Sequence, residues 1–217
     1  NNSLRGLISY CPQETIIFSD KISEFISYGK NVYDNLEIKA VNNTLKSSTQ
    51  MGKNVSNFEK KISTTFGYKY GIMVNSGSSA ILLCLKLLDL KKNDEIIVPN
   101  LNFGTAISSI ILCGLKPKFV DINISTLQID ETQIEKKITK KTKALMIPNL
   151  IGNLPNWEKI KKIKNKHKLI LIEDSADTMG ATYNKKKSAF YADYSITSFY
   201  GSHVISCAGN GGMLMLN

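Results

Sequence analysis

Between residues 70 and 216 the chain alternates short apolar runs with amphipathic stretches, and that alternation restricts its fold more than any other feature. Runs at 70–75, 95–98, 117–121, 144–148, 169–173, 194–198 and 212–216 have the length and aliphatic character of buried strands. Between them, stretches at 78–88, 105–113, 131–138 and 157–164 carry apolar residues at helical spacing. Such an order predicts an α/β fold, a mostly parallel seven-stranded sheet with helices on both faces. The first 68 residues are more polar, with helices expected at 32–45 and 55–66. Ligands of these sheets bind beyond the carboxyl ends of the strands, so that edge is where chemistry is sought.

Charge narrows the function. The net charge of +10 comes from 28 basic residues, yet only Arg5 is arginine. The lysines are scattered, with short clusters at Lys161-Lys162, Lys164 and Lys185-Lys186-Lys187 and no interleaved aromatic platform. Nucleic acid is therefore not the expected partner, and an anionic small substrate suits the charge better. The four cysteines, Cys11, Cys84, Cys113 and Cys207, lack metal-ligand spacing, and two histidines, His167 and His203, are too few for a histidine-rich centre. No apolar run reaches the roughly 20 residues of a membrane span, and no secretion signal opens the chain, so a cytoplasmic protein is expected.

Four strand ends carry candidate groups. The first runs into Asn75-Ser76-Gly77-Ser78-Ser79-Ala80 ahead of a helix, which suits either a bound phosphate or an ordinary serine N-cap. The second leads to Phe103, a stacking platform for a ring or a core residue. The fifth ends in Glu173-Asp174-Ser175-Ala176-Asp177. A carboxylate at the end of a buried strand needs a cationic partner, and a protonated heteroaromatic nitrogen would be one; for Glu173 and Asp177 the alternative is an acid at a helix start. The sixth ends in Ser198-Phe199-Tyr200-Gly201-Ser202-His203, followed by a glycine-rich loop that returns to the sheet.

In this order and at these intervals, the motifs resemble the DegT/DnrJ/EryC1/StrS family of pyridoxal-phosphate enzymes acting on nucleotide-linked keto-sugars, over residues 32–217. The resemblance implies the large domain of the type I aminotransferase fold, with 1–31 as a separate N-terminal segment. It also implies roles for particular residues. Gly77, Ser78 and Ser198 hold the cofactor phosphate, Phe103 stacks on the pyridine ring, and Asp174 pairs with the ring nitrogen and keeps it protonated. Asp177 stands where many members have glutamine near the ring hydroxyl.

His203 is the departure that decides the branch. Ordinary members have there the lysine that bonds to the cofactor, whereas histidine marks the family's sugar 3-dehydratases. What this implies is pyridoxamine phosphate or pyridoxal phosphate held without a covalent bond, His203 as the proton-transfer group, and a nucleotide-linked 4-keto-6-deoxyhexose that loses its C3 hydroxyl. Glutamate is the expected amine donor, a homodimer the expected assembly, and a surface glycan such as lipopolysaccharide O-antigen the expected destination. Iron–sulfur relatives carry a cluster cysteine where this chain has Ala176, so no cluster is expected. The chain departs from the family at Asn210, which replaces a glutamate, and by one extra residue between His203 and the glycine pair. Members have a second, smaller domain beyond this point, so 217 residues are expected to be about one domain of two. The alternatives are a sugar aminotransferase using another amine and a catalytically inactive relative serving as scaffold.

Overall fold

A computed structural model describes residues 34–47, 49–207 and 210–217. The expected segment 1–31, the first residues of the expected helix 32–45, and Ala208-Gly209 of the glycine-rich loop lie outside the described residues. Two helices, α1 (Asn35–Ser47) and α2 (Lys53–Phe66), precede the alternating region. It then runs β1 (Tyr70–Val74), α3 (Gly77–Leu87), β2 (Glu95–Pro99), α4 (Gly104–Leu112), β3 (Lys116–Val120), α5 (Glu131–Lys137) and β4 (Thr142–Pro148). After these come α6 (Trp157–His167), β5 (Ile170–Asp174), β6 (Tyr194–Ser198) and β7 (Gly212–Leu216).

The seven strands form one sheet in the order β1-β7-β6-β5-β4-β2-β3. Four neighbouring pairs, which join β3, β2, β4, β5 and β6, are parallel, while β7 lies antiparallel to both β1 and β6. Side chains alternate between faces, as the pleat requires. On β2, Ile96 and Val98 face one way with Ala144, Met146, Ile172, Ile196 and Leu214, and α3 and α4 cover them through Ala80, Ile81, Leu85 and Ile110. Ile97, Leu145, Ile147 and Leu171 face the other way beneath Ile134 of α5 and Trp157 and Ile160 of α6. On that second face Met213 and Met215 of β7 pack against Ile62 and Phe66 of α2. Both faces of the central strands are therefore buried, and their sequences read as near-continuous apolar runs for that reason.

Helix boundaries follow local chemistry. Ser76 caps α3 by accepting the Ser79 N–H at 3.1 Å, and Asn156 caps α6 by accepting from Lys159 at 3.0 Å. Gly67 closes α2 in the left-handed region at φ 88°, where its N–H reaches back to Thr64. These caps set where each crossover meets the sheet edge.

Candidate active site

The anion cradle is built from the start of α3. Ser76 satisfies the N–H of Ser79 with its hydroxyl and that of Ala80 with its carbonyl. The N–H groups of Gly77 and Ser78 donate to no acceptor among the described residues, which leaves two oriented donors at the positive end of a helix. The Ser78 hydroxyl donates to Thr105 Oγ1 at 3.1 Å, tying the starts of α3 and α4 together. Gly77 is required sterically: a Cβ there would stand 2.8 Å from the Cβ of Ser198 and 3.3 Å from its hydroxyl oxygen. Gly77 and Ser198 are thus in contact, and the cradle comprises β6 as well as α3.

The glycine pair has a structural explanation of its own. A Cβ on Gly212 would come within 2.3 Å of the Ser76 carbonyl, and one on Gly211 within 2.7 Å of Met73. Glycine at these positions lets β7 enter the sheet directly beneath the cradle. The base of the intervening loop is pinned by Phe199, whose N–H donates to Gly211 at 2.8 Å and whose carbonyl accepts from Cys207 at 3.0 Å. Phe199 itself is fully buried against Phe58.

Asp174 closes β5 on the α3 side of the sheet, in register with Ile196 of β6. Only 6% exposed, it accepts the Ala176 N–H at 3.1 Å. Burial pushes its carboxyl up to about 7, the charges of Asp177 and Glu173 adding to the effect and the Ala176 N–H opposing it. Such a group awaits a cation. Glu173 points to the opposite face, buried, with Oε1 accepting from the Asn149 amide at 2.8 Å. No helix follows β5, so Glu173 and Asp177 are not helix-start acids: Glu173 lies inside the strand, and Asp177 stands in a loop that runs to a short 3₁₀ turn at Ser188–Phe190.

Phe103, 64% exposed, is the N-cap position of α4. That exposure removes the core alternative and leaves a ring standing free at the cradle's rim. His203 lies in the loop after β6, its Nε2 3.8 Å from Asp177 Oδ1 and its ring 6.0 Å from that of Tyr200. Its Nδ1 is sealed from solvent without a hydrogen bond. Burial lowers the imidazole's pKa, while the Asp177 charge and the Ser198 backbone act the other way. Gly77, Ser78 and Ser198 therefore meet at one point, Asp174 ends the strand next to Ser198, and Asp177 meets His203.

Sequence reasoning missed Asn149. It follows β4, and its side-chain amide donates to Glu173, to Ser175 Oγ at 3.1 Å and to Thr178 Oγ1 at 3.1 Å. Its Oδ1 accepts from the Trp157 indole, and its own N–H donates to the Asp174 carbonyl at 2.9 Å. One buried asparagine thus fixes the segment that carries Asp174 and Asp177. The available signal was a polar residue directly after an apolar strand ending in Pro148.

A seven-stranded sheet with an antiparallel seventh strand, a helix-start anion cradle and a buried acid one strand away define the large domain of the aminotransferase fold. The chain belongs to the DegT/DnrJ/EryC1/StrS aminotransferase family, whose sequence pattern matches residues 31–217. It is 40% identical over 187 residues to a GDP-4-keto-6-deoxy-D-mannose 3-dehydratase of Escherichia coli O55:H7, covering 82% of this chain and 48% of that protein. A GDP-perosamine synthase of Caulobacter vibrioides is 35% identical over 169 residues, 78% of this chain and 45% of that one. A solved structure of the E. coli GDP-4-keto-6-deoxy-D-mannose-3-dehydratase with bound hydrated PLP superimposes with a TM-score of 0.82 at 38% identity, covering 87% of this chain and 50% of that one. The chain spans about half the length of the relatives it matches.

Proposed function

We propose that this chain is the cofactor-binding domain, over residues 32–217, of a 3-dehydratase that uses pyridoxal phosphate and pyridoxamine phosphate. Its substrate class is a nucleotide-linked 4-keto-6-deoxyhexose destined for a surface polysaccharide. Overall identity does not separate dehydratase from aminotransferase, because both kinds of relative match at similar levels. The observation that carries the proposal is the imidazole of His203 facing Asp177, where an aminotransferase needs an amine. Neighbouring lysines are engaged elsewhere: Lys187 donates to the Thr64 carbonyl on α2, and Lys186 lies over the Phe190 ring.

The residues present fit the cofactor. The free N–H groups of Gly77 and Ser78, with the Ser198 hydroxyl, suit a phosphate. Exposed Phe103 would stack on the ring of the cofactor, and Asp177 would lie near its ring hydroxyl. Asp174, buried and raised in pKa, is stabilised as a carboxylate by a cationic ring nitrogen, which in turn keeps its proton. When bound, the protonated ring supplies an electron sink. His203 accepts a carbon-bound proton at Nε2 and hands a proton to the oxygen leaving C3. Glutamate as amine donor, a homodimer and the absence of an iron–sulfur cluster belong to the same proposal.

Titration of the protein with pyridoxamine phosphate and pyridoxal phosphate, followed by borohydride and intact-mass analysis, tests it. Binding without covalent attachment is expected, and His203→Lys is expected to gain a reducible bond to pyridoxal phosphate. A reducible bond in the native protein would overturn the assignment of His203. No binding at high micromolar concentration with the fold intact would favour a scaffold.

A further inference from the structure

We propose that Asp177 is the positioning residue of this site, one carboxylate oxygen orienting His203 and the other holding the turn after β4. The proposal deepens the dehydratase reading and rests on it only for the task given to His203. Asp177 Oδ2 accepts the N–H of Ile151 at 2.8 Å. Ile151 occupies the left-handed region at φ 52°, ψ 31°, a conformation that β-branched residues avoid and keep only where their surroundings hold them. It is also 67% exposed, so packing does not hold it there. The carboxylate of Asp177 shares the turn with three other hydrogen bonds, from the Gly152 N–H to the Asn149 carbonyl and from the Asn153 N–H and the Gln128 side-chain amide to the Leu150 carbonyl, each at 3.1 Å, but it is the one that holds Ile151 itself.

The other oxygen, Oδ1, faces His203 Nε2 at 3.8 Å, too long for a hydrogen bond and within ion-pair reach. Nε2 is the ring nitrogen that faces Asp177, while Nδ1 is sealed from solvent. Among the described residues, the titratable groups that face the imidazole are Asp177, from the loop after β5, and Tyr200, from the same loop as His203. Among the described residues His203 is the one ion-pair partner of Asp177, whose Oδ1 faces the imidazole while Oδ2 accepts from Ile151. Asp177 therefore does two separable things: its charge favours a proton on Nε2, and its geometry anchors the strained turn.

The two histidines of the chain make the test direct. Histidine labelled with ¹³C or ¹⁵N gives two titrating resonances, assigned with a His167→Gln variant. His167, paired with Glu135, serves as internal control. Asp177→Asn keeps an oxygen for the Ile151 N–H and removes the charge. His203 is expected to titrate at lower pH in this variant, with His167 unmoved and the thermal midpoint nearly unchanged. Asp177→Ala is expected to produce the same His203 shift, with a lowered midpoint and faster exchange of the Ile151 amide. If His203 titrates at the same pH in the native chain and in Asp177→Asn, the proposal is overturned, whether or not Asp177→Ala folds. A parallel titration with pyridoxamine phosphate keeps the two ideas apart. A His203 shift without cofactor binding would sink the dehydratase reading and leave the Asp177 coupling standing.

Discussion

Asp174 combines burial, two acidic neighbours and a single N–H donor, and its titration carries a sign that can be measured. Its carboxyl has an ordinary pKa of 3.8 and a pKa of about 7 in the fold. Between those values the folded chain holds a proton that the unfolded chain has released, so stability falls as pH rises from about 4 to about 7 and is level above. That span corresponds to about 4 kcal/mol. Denaturant unfolding at pH 5 and pH 8 should show the native chain losing about 3 kcal/mol more than Asp174→Asn. The same variant should bind pyridoxamine phosphate at least roughly tenfold more weakly, on the proposal that the Asp174 charge pairs with the ring. Gly77→Ala is expected to weaken cofactor binding by a similar factor, since its Cβ would press on Ser198. Isothermal titration checks both. Asp174, Ser198 and Gly77 were legible in the sequence because strand ends and a small-residue turn announce them. Asn149 was not, because five of its six hydrogen bonds reach Trp157 or the segment 173–178 and leave no local spacing to read.

Among the elements, all seven strands and the helices between them were legible, with ends displaced by at most three residues. Burial on both faces writes the strands into the sequence as apolar runs. Their order in the sheet, and the antiparallel insertion of β7 between β1 and β6, depend on contacts far apart in sequence and leave no periodic trace. The glycine pair at the start of β7 read as part of a loop, whereas its reason is the Ser76 backbone lying against Gly212 and the Met73 side chain against Gly211. Gly212→Ala should therefore cost at least about 3 kcal/mol or prevent folding, because the obstacle is backbone and cannot rotate away. Gly104→Ala is the contrasting case, a glycine in the first turn of α4 with nothing within 4 Å of its missing Cβ. It should be neutral or stabilise by about 0.5 kcal/mol. Urea denaturation of the two variants side by side tests the difference.

For the whole molecule, α1 raises the question of assembly. It buries none of its residues, and Ile38, Val41 and Leu45 recur on one side of it, exposed. The proposed homodimer gives such a face a use. Light scattering at micromolar concentration should return twice the chain's 24.1 kDa, and Leu45→Lys should shift the mass downward with the circular dichroism unchanged. A monomer at every concentration would remove the dimer from the proposal. The sheet order also has a consequence for how the molecule comes into being. β1 is an edge strand whose one neighbour is β7, and β7 also braces the backbone that begins α3. During synthesis the earlier strands β2 to β6 can assemble while β1 remains unpaired and the turn at Gly77 stays unbraced. Residues 212–216 must leave the ribosome before either is secured, so a nascent chain halted ahead of them would have six of its seven strands and still lack the support beneath Gly77.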